Sequence, residues 1–175
     1  MQYNNIIFIA ETQGDYELIR LAHDNLVHFI KNKKERKDSS LLSKAFILFG
    51  EEKKYSEASK VLEKLGNGRN IHVEIKKRKH TLMMKCLYEQ FEDKQESYNA
   101  LMKTAGSFRR MIYRLEEEGK ISEKSKQCYY NYCNILCRIA NQRNPSTKDE
   151  LYALLESYNG LMVETKYIIA KIEEK

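Results

Sequence analysis

Cys128, Cys133 and Cys137 fall on one short stretch of the chain, and His72 and His80 lie upstream, so the donor types that hold zinc are present. Structural zinc favours close pairs such as Cys-x-x-Cys on a turn, and no such pair occurs. Cysteine is also a common small buried hydrophobe. Together with Cys86, the cysteines therefore read as core thiols, and neither a metal nor a cofactor is expected. A Cys–His nucleophile would need a base, an orienting group and an oxyanion site. His23, His28, His72 and His80 all lie on helix-like segments instead. The chain has no glycine-rich phosphate loop, no Gly-x-Ser-x-Gly and no His-Glu-x-x-His. It reads as a protein that is not an enzyme.

Charge is the second chemical resource. The formal net charge is +6, with basic residues gathered at 31–37 and in Lys76-Lys77-Arg78-Lys79. Such runs can meet nucleic acid or another anionic partner. On a helix four consecutive residues point around the whole axis, so only Lys76 and Lys79 align, and Met83 interrupts that face. The run 76–79 therefore reads first as a solvated face whose long stems cover apolar surface. Glu116-Glu117-Glu118 reads as solvated charge at a helix end. Twelve tyrosines are the third resource. Tyr129, Tyr130 and Tyr132 stand together, with Tyr113, Tyr152 and Tyr158 in neighbouring segments; a ring that packs while its hydroxyl seeks a partner suits helix interfaces and peptide grooves alike. Tyr129, Tyr132, Arg109, Arg110, Lys76 and Lys79 are the residues expected to meet a partner.

These residues must be held by helices. One proline and seven glycines in 175 residues leave little material for turns, which favours long helices and short connections. Hydrophobic residues make up 42 % and charged residues 32 %, a mixture that can fill a core and is not that of a disordered chain. The spacing predicts helices over 4–13, 15–31, a segment opened by Ser39 or Ser40 and running to Phe49, 55–65, 70–91, 94–118, 122–142, 149–159 and 163–172, with no convincing strand. Asn32 to Asp38 reads as a charged loop. Gly66-Asn67-Gly68 and Gly119 read as helix stops, and Ser146-Thr147-Lys148-Asp149 as a capping box with Asp in the Glu position. No linker divides the chain, so residues 1–175 are expected to form one domain. No apolar run reaches the ~20 residues that span a bilayer. The first residues show neither the basic start nor the long apolar core of a signal peptide, and the cysteine pattern suits a reducing compartment, so a cytoplasmic location with no membrane contact is expected.

Helix junctions recur: Gly14-Asp15-Tyr16-Glu17-Leu18, Tyr55-Ser56-Glu57-Ala58 and the stretch near Phe91-Glu92-Asp93-Lys94 stand about 39 residues apart, the scale of stacked helical hairpins. Leu42, Ala45, Phe46, Phe49, Tyr55, Ala58, Leu62 and Leu65 occupy the small and large positions of a tetratricopeptide-type hairpin, with Lys53 where the turn usually has glycine. Residues 70–142 resemble the C-terminal region of large tetratricopeptide-like proteins of Bacteroidetes-type bacteria. The resemblance is carried by His80-Thr81-Leu82-Met83-Met84-Lys85-Cys86-Leu87-Tyr88-Glu89, Leu101, Ser107-Phe108-Arg109-Arg110, Ile121-Ser122-Glu123 and Tyr130-Asn131-Tyr132. In that group a long helix pair follows shorter hairpins, and Tyr167 sits where members often carry a Trp in a terminal helix. The resemblance implies an all-α solenoid of about nine helices in antiparallel hairpins, and it implies no catalytic residue.

The expected function is a noncatalytic scaffold that takes a partner peptide or helix in a helical groove. Nucleic-acid binding through the basic runs at 31–37 and 76–79 is the alternative. Ile6, Ile7, Phe8 and Ile9 give the first helix no polar outer face, which suggests self-association there and a chain that is either the C-terminal part of a longer protein or a short member of the group.

Overall fold

A computed structural model describes residues 3–66, 71–90 and 95–175, and among them all regular structure is helical. Ten helices form: α1 (Tyr3–Gln13), α2 (Tyr16–Asp24), α3 (Leu26–Phe29), α4 (Lys33–Gly50), α5 (Tyr55–Lys64), α6 (Val73–Glu89), α7 (Gln95–Glu117), α8 (Glu123–Ile139), α9 (Lys148–Ser157) and α10 (Thr165–Glu173). They gather into two compact units, residues 1–90 and residues 91–175. None of the described helices is long and apolar enough to cross a membrane.

In the first unit, helices next to each other in sequence pack together. α1 lies on α2, α4 on α5, α5 on α6, and α4 also meets α1, α2, α3 and α6. The core is built where their apolar faces meet: Ile7 and Ala10, Ile19 and Ala22, Leu42 and Ala45, Ala58 and Leu62, Ile75 and Leu82 are all buried. Spacings of three, four and seven residues put each pair on one helical face. The α1–α2 junction turns on Gly14 at φ +74°, and the Asp15 amide donates back to the Ala10 carbonyl (2.8 Å), a left-handed C-terminal turn. Asp15 then caps α2 by accepting from the Leu18 amide (2.9 Å).

Four sequence-based expectations change here. The helix expected over 15–31 is split at Asn25, whose side-chain amide donates to the Leu21 carbonyl (2.8 Å); this accounts for ten helices against about nine. Asn32 to Asp38 is not a loop. Asn32 accepts from the amides of Lys34 (2.9 Å) and Glu35 (3.1 Å), so α4 starts two turns before Ser39 and Ser40. Ser39 is buried within the helix and caps nothing. α5 stops at Leu65 in extended conformation, without a left-handed Gly66, while Asn67 and Gly68 lie outside the described residues. The junction expected near 91–94 also lies outside them.

In the second unit, α7 packs on α8, and α8, α9 and α10 pack on one another. Leu101, Ala105, Phe108, Ile112 and Leu115 give α7 one continuous buried stripe. Gly119, at φ +65°, ends it as expected, and the Lys120 amide reaches the Leu115 carbonyl (2.8 Å). Ser122 caps α8, which stops at Ile139 rather than Gln142. The capping box before α9 is real but sits one residue further on: Glu150 donates its amide to Thr147 Oγ1 (3.2 Å), and its carboxylate accepts from the Thr147 amide (3.0 Å).

Candidate interaction surfaces

The tyrosine and arginine group of the second unit is organised around α7 and α8. Tyr132 is fully buried and is a core residue, so it is corrected from a partner-facing position to a packing one. Position 132 shares its helical face with Ile135, Leu136 and Ile139, which draws the ring inward. Tyr129 is half-buried and meets Phe108 edge-on, with ring centroids 5.5 Å apart. The Tyr130 hydroxyl donates to the Arg109 carbonyl (3.2 Å). The Arg109 guanidinium lies beside Cys133 and Cys137. Arg110 is exposed and donates to Ser107 Oγ (3.2 Å). The structure thus brings Arg109 and Tyr130 together and leaves Arg110 as the outward charge of the group.

Cys86, Cys133 and Cys137 are buried, matching the reading as small core hydrophobes, and Cys128 is half-buried. Burial pushes the Cys86 and Cys133 thiols up to about 12 and Cys137 to about 11, outweighing the pull of Arg109 on the last two. Such thiols are poor nucleophiles at neutral pH. Among the described residues no group of three or more His, Cys, Asp and Glu side chains converges as a metal site would need.

The basic run of α6 does not form a solvated face. Lys77, Lys79 and Lys85 are buried. The Lys79 ammonium donates to the Leu65 carbonyl at the end of α5, Lys77 pairs with Glu74 (2.6 Å), and Lys85 reaches Glu11 on α1 (3.2 Å). The Arg78 guanidinium covers the Phe8 ring at 4.4 Å. Lys76 is half-buried. Arg78 and Lys79 tie α6 to α1 and to the end of α5, and Lys85 adds a second tie to α1. On spacing alone the stems cover apolar surface and the charged ends stay in water, whereas Lys77 and Lys79 end on protein acceptors.

The other run is different. Lys31, Lys33, Lys34 and Lys37 remain exposed over the start of α4. The first unit also exposes large apolar side chains: Leu21 (61 %), Val27 (60 %), Phe8 (49 %) and Phe29 (47 %), with Ile9 close behind. A 3.6-residue period admits Leu21 or Ala22, and Phe29 or Ile30, on the inner face, and Ala22 and Ile30 are the buried ones. Ala22, Leu26 and Ile30, four residues apart, keep one inward face across the break at Asn25. Phe8 and Ile9 were legible as an exposed apolar face of α1, since Tyr3, Ile7 and Ala10 already fill its inner face.

No protein-family model matches this chain, and no curated protein or solved structure matches it. What stands is a chain whose described residues form ten helices and no strand, with helices adjacent in sequence packing together within each unit.

Proposed function

We propose that this chain is a noncatalytic interaction protein whose helices stack as a tetratricopeptide-like solenoid and whose first three helices engage a protein partner. The observation that carries the reading is the group of large apolar side chains left in water on α1–α3. Single exposed apolar residues are ordinary, but five of the eight large hydrophobics exposed among the described residues fall on α1–α3. Sequence-ordered helix packing supports the solenoid reading, as do helix starts at Tyr16, Tyr55 and Gln95, about 39 residues apart. The noncatalytic reading is supported by thiols held in their neutral form by burial. A second copy of the chain is a further candidate partner for the same face.

Partner capture from native extract on immobilised protein, with and without nuclease treatment, tests the proposal. The wild-type chain is compared with a Phe8→Ser/Leu21→Asp variant, whose changes lie at exposed positions. A nuclease-resistant protein, or the chain itself, retained by the wild type and lost by the variant is the expected result. Recovery of nucleic acid, or equal capture by both chains, would overturn the reading.

A further inference from the structure

A cavity of about 420 Å³ opens between the end of α2, the start of α3 and the first two turns of α4. Lys33, Arg36, Lys37 and Ser40 line it from α4. Their spacing of three, four and seven residues puts all four on one helical face. His23 and Asp24 stand opposite, and Leu26 and Val27 supply an apolar wall. We propose that this cavity binds a small organic molecule through its phosphate group.

Charge is the first argument. Three cations and one carboxylate line the cavity, leaving two positive charges over, the complement of a phosphomonoester dianion. Among the described residues, Lys33 and Lys37 have no ion-pair partner, whereas Lys77 and Lys85 of α6 are paired. These two ammonium groups stand one helical turn apart at the rim of one cavity, and nothing in the fold uses them.

Geometry is the second argument. Arg36 is fixed in place: its Nε donates to the Ile30 carbonyl (2.9 Å) and its Nη2 to the Lys31 carbonyl (3.2 Å). Those bonds hold one edge of the guanidinium and leave the remaining N–H groups for a ligand oxygen, so little conformational freedom is lost on binding. The helix N-terminus itself is not the site, because Asn32 already occupies the amides of Lys34 and Glu35. The Nδ1 of His23 is buried with no hydrogen-bond partner among the described residues, an unusual state for a ring nitrogen.

Size and lining name the rest of the ligand. The pocket is open to solvent, so a phosphate ion alone would cover only part of its lining, and its volume falls in the range of sites for small organic ligands. Asp24 repels the phosphate but can accept from a hydroxyl, and Leu26 and Val27 can cover a carbon skeleton. A phosphorylated polyol or sugar has all three features. This proposal is independent of the partner reading above.

The test is an amide NMR titration of the full chain at constant ionic strength with ribose 5-phosphate, inorganic phosphate and a single-stranded oligonucleotide. Ribose 5-phosphate should give saturable shifts confined to residues 23–27 and 33–40. Lys33→Gln/Lys37→Gln, two changes at exposed positions, should weaken it by about tenfold or more while the melting temperature holds. Inorganic phosphate should act on the same amides more weakly. Absence of saturable shifts, or equal affinity in the variant, would overturn the site. Tighter oligonucleotide binding with shifts spread beyond the cavity would overturn the small-molecule assignment in favour of nucleic acid.

Discussion

At the scale of single residues, the chemistry of this chain lies in which ionisable groups the helices turn inward. His80 is an example. Its Nδ1–H donates to the Lys76 carbonyl (2.8 Å), and its pKa is lowered, chiefly by burial and further by the nearby Lys79, against the pull of that backbone bond. Above the ordinary histidine value of about 6.5 the ring is neutral in both folded and unfolded chains. As the pH falls below that value, the unfolded chain takes up a proton that the folded chain resists, so stability drops until the folded value is passed. Melting curves at pH 7.5 and pH 5 should show a larger loss for the wild type than for His80→Gln; equal losses would place the acid sensitivity elsewhere. Residue types alone could not show this. The run 76–79 reads as four similar charges in the sequence, but the fold gives Lys77 a carboxylate, Arg78 a ring, Lys79 a carbonyl and leaves Lys76 half-buried. Burial of the cysteines was legible because a thiol four residues from another on an apolar face has few alternatives.

At the scale of elements, two turns explain how far pattern reading goes. Between α4 and α5 the sequence has Lys53 where a hairpin usually has glycine, and the structure puts Lys53 at φ +55°, the left-handed conformation that glycine would adopt without strain. Lys53→Gly should therefore raise the unfolding free energy by up to about 1 kcal/mol, read from urea denaturation, despite the added freedom of the unfolded chain. Three residues earlier, Gly50 has ordinary helical geometry, but a Cβ there would overlap the ring and hydroxyl of Tyr16. Gly50→Ala should destabilise the protein by about 1–3 kcal/mol. In a Tyr16→Ala background the same change should become neutral or stabilising, because alanine is the better helix former; a double-mutant cycle measures the reversal. Helices with strong periodicity and clear stops, such as α7 before Gly119, were legible in the sequence. The start of α4 was not, because Lys33-Lys34-Glu35-Arg36-Lys37 has no apolar period and its capping residue, Asn32, lay inside an apparent charged loop.

At the scale of the whole molecule, two compact units each carry their own core, centred on residues such as Leu62 in one and Ile112 in the other. Truncating either to alanine should cost about 2–5 kcal/mol. The sequence has no linker to announce the division, because helices continue to Glu89 and resume at Gln95 with no Pro-, Gly- or Ser-rich stretch. The buried thiols let the two halves be timed separately. Cys86 belongs to the first unit and Cys133 and Cys137 to the second, and all three are enclosed and protonated while the chain is folded. A thiol reagent therefore reacts with them only in molecules that have opened, so its rate follows opening rather than thiol reactivity. Ile112→Ala should speed labelling at Cys133 far more than at Cys86, and Leu62→Ala should do the reverse, as peptide mass mapping of the modified chain would show. Each half of this protein carries its own stopwatch, started only when that half comes apart.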